Sequence, residues 1–227
     1  MTIKNSDPKP EPPLHFRVAT PADAGLIQPL VQSAYRGDES RQGWTTEADL
    51  LKGNRINIAG ILAKITNPDS AVLLAFTGSS PAATKNNSDA NTNNGNDNNN
   101  NNNNNNPDGL ALVGCCEVAR LPGESSAYFG MFAVSPRLQG GGIGRRLLAH
   151  AEAYCRAAWG PGTVHKLEMT VIWTRAELIA WYERRGYRRT GETRPFPLAE
   201  VDGAALRDDL YFVVLEKDLS IYGTAPI

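Results

Sequence analysis

Residues 139–146 read Gln139-Gly140-Gly141-Gly142-Ile143-Gly144-Arg145-Arg146. Glycines at this density let a backbone approach a ligand with no Cβ in the way. Where such a run opens a helix, the first amide N–H groups lack intrahelical partners and the positive end of the helix dipole lies behind them. Together these make a cradle for phosphate. Arg145 and Arg146 in the first turn oppose the dipole, an unfavourable placement unless an anion sits nearby. A plain flexible strand–helix turn is the alternative reading. Two common phosphate motifs are excluded. A P-loop carries Lys and Ser/Thr directly after its last glycine, where this chain has Arg145-Arg146. A dinucleotide fingerprint begun at Gly140 or Gly142 meets Arg145 or Leu147 in place of its third glycine. The pattern that fits is Gln/Arg-x-x-Gly-x-Gly/Ala, met by Gln139, Gly142 and Gly144.

Two other groups could do chemistry. Tyr182 sits beside Trp181 in an amphipathic segment, as a proton donor or as packing. Glu168 lies in Lys166-Leu167-Glu168-Met169-Thr170. A carboxylate on a mostly buried strand holds its proton more tightly and suits a general base; one at a sheet edge pairs with an arginine instead.

The stretch from Phe132 through Pro136 and the glycine loop to Leu148 resembles the acetyl-CoA signature of the GNAT superfamily of N-acetyltransferases. Glu177 to Tyr187, with Tyr182, Gly186 and Tyr187 at helix–Tyr–x–x–x–Gly–aromatic spacing, resembles that family's next motif. The resemblance spans Phe16 to Lys217 apart from an asparagine tract. It implies a mixed, mostly antiparallel central sheet flanked by helices (α/β, or α+β). In that fold strands 127–134 and 166–172 are parallel and splay apart in a V. It implies acetyl-CoA as co-substrate and no metal. The backbone of Phe132, Ala133 and Val134 would bond the pantetheine arm, and Gln139, Gly140, Gly141, Gly142, Ile143, Gly144 and Arg145 would hold the pyrophosphate. The reaction would be direct attack of an amine on the thioester. Tyr182 would serve as general acid, with Glu168, Glu117 or water as base; His165 precedes the strand and reads as a surface residue. Arg175 stands seven residues before the tyrosine, where many members have an asparagine that contacts CoA.

The same resemblance places the acceptor between the first two helices and the last hairpin. Tyr35, Arg36, Glu39, Trp44 and Glu47 lie on one side and Arg194 to Pro197 on the other. Trp44 and Phe196 would wall a pocket, and Glu39 or Glu47 would hold an amine; surface caps and turns are the alternative. Arg184, Arg185, Arg188, Arg189 and Arg194 form a local basic cluster for CoA phosphates or an anionic substrate. The acceptor class expected is a small amine or amino acid. A protein N-terminus or lysine, or a non-catalytic acetyl-CoA-binding module, are the alternatives.

These residues need elements to position them. Phe16 to Val18 reads as a strand. Thr20-Pro21-Ala22-Asp23 is a helix start, followed by Ala24, Ile27, Val31 and Ala34 at helical spacing. Thr46 to Asp49 is a second such start, and Ile58 to Ile65 a third helix, stopped by Asn67-Pro68. Strands are expected at Ala71–Phe76, Leu110–Arg120, Ala127–Val134, Lys166–Ile172, Tyr187–Gly191 and Leu210–Lys217. Helices follow the glycine loop to about residue 159 and span Ala176–Arg185. Residues 1–13 read as a disordered tail and 77–108, with the run Asn98 to Asn106, as a disordered insertion in a loop of one domain spanning 14–220.

Bulk properties narrow the class. The 227 residues suit one domain. The formal net charge of -1 gives no global attraction to nucleic acid or acidic membranes. Cys115, Cys116 and Cys155 form no Cys-x-x-Cys pair and read as buried reduced thiols. No apolar stretch is long enough to span a bilayer. A cytoplasmic or nuclear protein is expected, with a small-molecule amine as partner, neither nucleic acid nor membrane, and room for a homodimer.

Overall fold

The computed structural model describes residues 13–78, 109–160, 162–198 and 205–220. The elements are β1 (His15–Val18), α1 (Ala24–Tyr35), α2 (Gly37–Ser40), α3 (Ile58–Thr66), β2 (Ser70–Thr77), β3 (Ala111–Arg120), β4 (Ser126–Val134), α4 (Ile143–Ala158), β5 (Lys166–Ile172), α5 (Ala176–Glu183), β6 (Arg188–Pro195) and β7 (Tyr211–Asp218). Short 3-10 turns at Pro21–Asp23 and Pro136–Leu138 lead into α1 and follow β4.

The seven strands form one sheet in the order β1-β2-β3-β4-β5-β7-β6. Every neighbouring pair is antiparallel except β4–β5. That parallel pair is ladder-bonded only at Ser126↔Lys166, Ala127↔Leu167 and Tyr128↔Glu168, yet the strands run on to Val134 and Ile172. They part beyond Tyr128, giving the expected V-shaped opening. At the fork the hydroxyls of Tyr128 and Thr170 share a 2.8 Å hydrogen bond.

Alternation along the strands sends one set of side chains under α4 and α5 and the other under α1 and α3. Val118, Phe129, Leu167 and Met169 belong to the first layer; Leu74, Phe76, Cys115 and Ala133 belong to the second. α4 buries Ile143, Leu147, Leu148, Ala151 and Cys155 along one stripe. Each such leucine contributes about 1.5–3 kcal/mol relative to an exposed one. α1 buries Ile27, Leu30, Val31 and Ala34 in the same way. Its entry is fixed as the sequence suggested: Asp23 accepts from the Thr20 N–H at 2.7 Å. Arg17 adds two contacts to the same carboxylate, at 2.8 and 2.7 Å.

Three expectations about elements need correction. Thr46–Asp49 forms a turn and starts no helix. The Thr46 hydroxyl accepts from the Ala48 N–H at 3.0 Å and pairs with Ser40, and Glu47 turns inward to arginines. These local bonds displace the helix. β6 runs to Pro195 and does not stop at Gly191, because a register break between Arg189 and Thr193 absorbs Gly191 at φ 86° and pairing resumes. Thr77 belongs to β2 and so lies outside the asparagine-rich insertion. The expected disorder of residues 1–12 of the tail and 79–108 of the insertion falls outside the described residues. No helix among the described residues is long and apolar enough to cross a membrane.

Candidate active site

β4 ends at Val134, and the chain passes through Pro136–Leu138 into the glycine loop before α4 begins at Ile143. The loop needs its glycines. Gly140 and Gly142 hold left-handed φ values of 85° and 81°, and Gly142 is the N-cap of α4. A non-glycine residue there costs about 1–2 kcal/mol. A Cβ at Gly144 would lie 3.3 Å from the Phe132 ring, a tight contact that a small residue keeps by a slight shift of the ring and a larger one does not. Ile143 turns inward and anchors the helix in the core. Gln139 braces the loop: its amide donates to the Val134 carbonyl at 3.2 Å, and its oxygen accepts from the Trp44 N–H at 3.0 Å.

The loop opens onto a cleft of about 1300 Å³. Of the residues expected to hold cofactor, the cleft brings together Phe132, Val134, Gln139, Gly140, Gly141, Gly142, Gly144, Arg145 and Arg175, with Tyr182 beside them. Ala133 and Ile143 have side chains in the core, so only their backbones remain for that role. Sequence reasoning missed Thr45, Glu177 and Leu178 on this wall, and Trp181 as a lining residue. Trp181 packs at a tilt beside Trp44 and Phe132, with ring centroids 6.5 and 6.0 Å away. Two of the five clustered arginines, Arg184 and Arg185, line the cleft together with Arg145. Arg185 lies 3.5 Å over the Trp181 ring; burial and the charges of Arg184 and Arg145 lower its proton affinity. Three cations crowded at the glycine loop suit a polyanion. Arg188, Arg189 and Arg194 belong to β6.

Tyr182 is 4% exposed, and its hydroxyl makes no hydrogen bond among the described residues. Burial pushes its phenol well above the usual 10.0, with Tyr35 adding to the shift. Its ring packs edge-on against Trp181 and Tyr187 at 5.1 and 5.7 Å. Tyr35 is also buried, which pushes its phenol up to about 12, and it donates to the Phe132 carbonyl at 2.8 Å. That bond pins β4 at an irregularity. Between Cys115↔Ala133 and Glu117↔Gly130 the register shifts, and Met131 takes φ 45°. The β-bulge leaves Met131 and Phe132 without ladder partners on β3.

The remaining expected residues are placed otherwise. Glu168 does not line the cleft; Arg194 clamps its carboxylate with bonds of 2.6 and 3.0 Å. Of the two readings open for Glu168, this geometry matches the ion pair with an arginine. Glu117 is buried and bonded to Lys64 at 2.6 Å and Ser70 at 3.3 Å. Glu47 is not available to hold an amine. Its two oxygens are taken by Arg36 at 2.6 Å and Arg175 at 2.8 Å. Burial alone would raise the Glu47 carboxyl, but the fields of Arg175, Arg55 and Arg36 outweigh it and hold the group below its usual 4.5. Arg175 itself is committed to protein, with Thr45 as its second acceptor at 2.8 Å. Glu39 is exposed and 4.0 Å from Arg137. Trp44 lines the cleft, whereas Phe196 packs with Leu51, Ile172 and Leu210 beside a separate cavity, so the two do not wall one pocket. No group of three or more His, Cys, Asp or Glu suited to a metal occurs among the described residues.

Residues 107–189 match the family model described as the acetyltransferase (GNAT) domain. Solved structures share the fold. A chimera of spermidine N-acetyltransferase SpeG from Vibrio cholerae and hSSAT is 16% identical, covering 92% of this chain and 97% of its own, with a TM-score of 0.56. The ribosomal-protein-S18-alanine N-acetyltransferase from Escherichia coli is 14% identical, covering 94% and 99%, with a TM-score of 0.55. An IAA acetyltransferase from Bacillus cereus is 14% identical, covering 91% and 99%, with a TM-score of 0.53. At such identities these likenesses establish the fold. No curated protein matches the chain by sequence. The family match adds the class. The match, over residues 107–189, is to an acetyl-transferring enzyme class whose domains use acetyl-CoA as co-substrate.

Proposed function

We propose that the chain moves an acetyl group from acetyl-CoA to the amine of a small molecule, by direct attack in the fork between β4 and β5. One observation carries this reading: a glycine cradle at the head of a long helix opens into a cleft that is also lined by a largely buried tyrosine, Tyr182, and an irregular strand. The cleft residues fit the co-substrate. Left-handed Gly140 and Gly142 present backbone, Arg145, Arg184 and Arg185 suit its phosphates, and Phe132 and Trp181 suit its apolar arm. When bound, acetyl-CoA supplies an acyl group activated as a thioester. The chain does the rest. A main-chain N–H freed by the bulge at Met131–Phe132 is assigned as donor to the developing oxyanion. Tyr35 holds that strand in place through the Phe132 carbonyl. Tyr182 stays protonated and donates a hydrogen bond to the departing sulfur. Glu168 and Glu117 are both occupied by cations, so the amine's proton is assigned to solvent in the fork.

Calorimetric titration with acetyl-CoA, CoA and ATP side by side tests this. Binding of the first two and not of ATP, followed by amine-dependent thiol release, is expected. Binding of ATP alone, or of nothing, would withdraw the assignment.

A further inference from the structure

A second cavity, of about 330 Å³, lies beside Glu47. It adjoins the large cleft: Glu47 lines the cavity, Arg175 lines the cleft, and the two meet at 2.8 Å. Its apolar wall is Ile172 at the end of β5 with Phe196 and Phe212. Its charged wall is unbalanced, since Arg36, Lys52 and Arg55 face a single carboxylate, Glu47, with Arg175 just behind.

That carboxylate is already spent on Arg36 and Arg175. Arg55 is left over. Its Nε is 3.9 Å from Glu47, too long for a hydrogen bond, and its guanidinium makes no hydrogen bond among the described residues. It is held instead over the ring of Tyr35, 5.0 Å from the centroid. Glu117 also faces Arg55, but Lys64 takes that carboxylate at 2.6 Å. The Nε atoms of Arg36 and Arg175 are buried without partners, so positive charge exceeds its local compensation on both sides of Glu47. A guanidinium held on an aromatic face, short of an acceptor and next to an apolar slot, matches a carboxylate on a short aliphatic stem.

We infer that this cavity is the acceptor site and that the acceptor is an amine bearing a carboxylate, anchored by Arg55, with its stem along Ile172, Phe196 and Phe212. The inference rests on the acetyltransferase reading above. It separates this chain from a polyamine acceptor such as the spermidine in one structural neighbour's name, because a polycation would meet Arg36, Lys52 and Arg55.

The test uses glycine, β-alanine and γ-aminobutyrate, each against its carboxamide, which keeps the shape and removes the charge. Thiol release gives kcat/KM for every pair. In the wild type at least one acid should exceed its carboxamide by roughly 10- to 100-fold, the worth of a charge-assisted pair. Arg55→Gln should erase that preference by raising KM for the acid, and Arg55→Lys should keep part of it. Binding of N-acetyl-β-alanine, followed by calorimetry without cofactor, should weaken in parallel, while acetyl-CoA affinity stays unchanged. Equal use of acid and carboxamide by the wild type would overturn the inference, as would a preference that survives Arg55→Gln. Acetyl-CoA binding with no thiol release from any acid would also overturn it, leaving the acetyltransferase reading intact. Failure to bind acetyl-CoA would instead strike that reading. Should Arg55→Gln not fold, the wild-type pairs and Arg55→Lys still decide.

Discussion

Replacing Tyr182 with phenylalanine isolates one hydroxyl. That oxygen makes no hydrogen bond among the described residues, and the ring contacts with Trp181 and Tyr187 survive in phenylalanine. Folding stability should therefore stay within about 0.5 kcal/mol of wild type. Turnover should not. A CoA thiol has a pKa of about 8.5, and burial raises the Tyr182 phenol well above 10.0. Complete proton transfer from phenol to thiolate would thus be uphill by more than about 2 kcal/mol. The useful contribution is a hydrogen bond to a sulfur gaining negative charge, worth about 1.5–3 kcal/mol. Tyr182→Phe should then lower kcat by about 10- to 150-fold. Stopped-time thiol release at saturating amine gives kcat, and calorimetry gives acetyl-CoA affinity, expected within about threefold of wild type. The pH profile is a second check. With its proton affinity raised, Tyr182 keeps its proton through pH 10, so no alkaline fall in kcat below that point belongs to it. An unchanged kcat would refute the reasoning, and so would a loss matched by an equal loss of acetyl-CoA affinity.

Gly142→Glu should abolish measurable acetyl-CoA binding, since it combines a strained left-handed residue with negative charge at the cradle; unchanged affinity in calorimetry would sink the loop assignment. Glu47→Gln leaves the buried guanidiniums of Arg36 and Arg175 without their anion, and thermal or denaturant melts should show a loss of about 3–5 kcal/mol. Asp23 is held near 2, below its usual 3.8, chiefly by Arg17. A depressed carboxyl stabilises the fold above pH 3.8 and loses that effect as pH falls toward 2. With Arg17 partly exposed, the term is discounted to about 1–2 kcal/mol at pH 7, and Asp23→Asn should remove it and flatten that stretch of the stability–pH curve.

The elements that position the glycine loop were legible because local chemistry set them. Glycines, Pro136 and the apolar stripe of α4 need no distant partner to be recognised, and the same holds for Asp23 returning to Thr20. The forked pair β4–β5 came through the family resemblance. Misread positions share a cause: distant side chains decided them. Thr46 carries the same start signal as Thr20, but Ser40, Arg36 and Arg175 claim its neighbourhood. Glu47 was expected to hold a substrate amine, or to be a surface cap, and is 5% exposed because three arginines converge on it from separate segments. Glu168 sits on the expected strand, and only the pairing of β6 beside β7 reveals that Arg194 reaches it. The bulge at Met131 had a mark in its own sequence, the isolated Gly130 just before it, while the Tyr35 bond to the Phe132 carbonyl comes from a distant helix.

Arg175 shows how this chain departs from the resemblance at a place that matters. The N-cap position of α5 could carry a short polar side chain directed at cofactor; here it carries a long one directed at Glu47 and Thr45. An asparagine at that place is too short to bridge α5 to the segment after α2. With arginine, the helix that bears Tyr182 is tied to the loop that bears Trp44, and Gln139 ties that loop to the glycine run. The large cleft and the smaller cavity thus share one ionic wall, the Arg175–Glu47 pair, rather than forming independently. Because that wall draws both Glu47 oxygens toward Arg36 and Arg175, it also leaves Arg55 short of an anion. The same arginine that ties the cleft walls together therefore underlies the charge preference proposed for the smaller cavity.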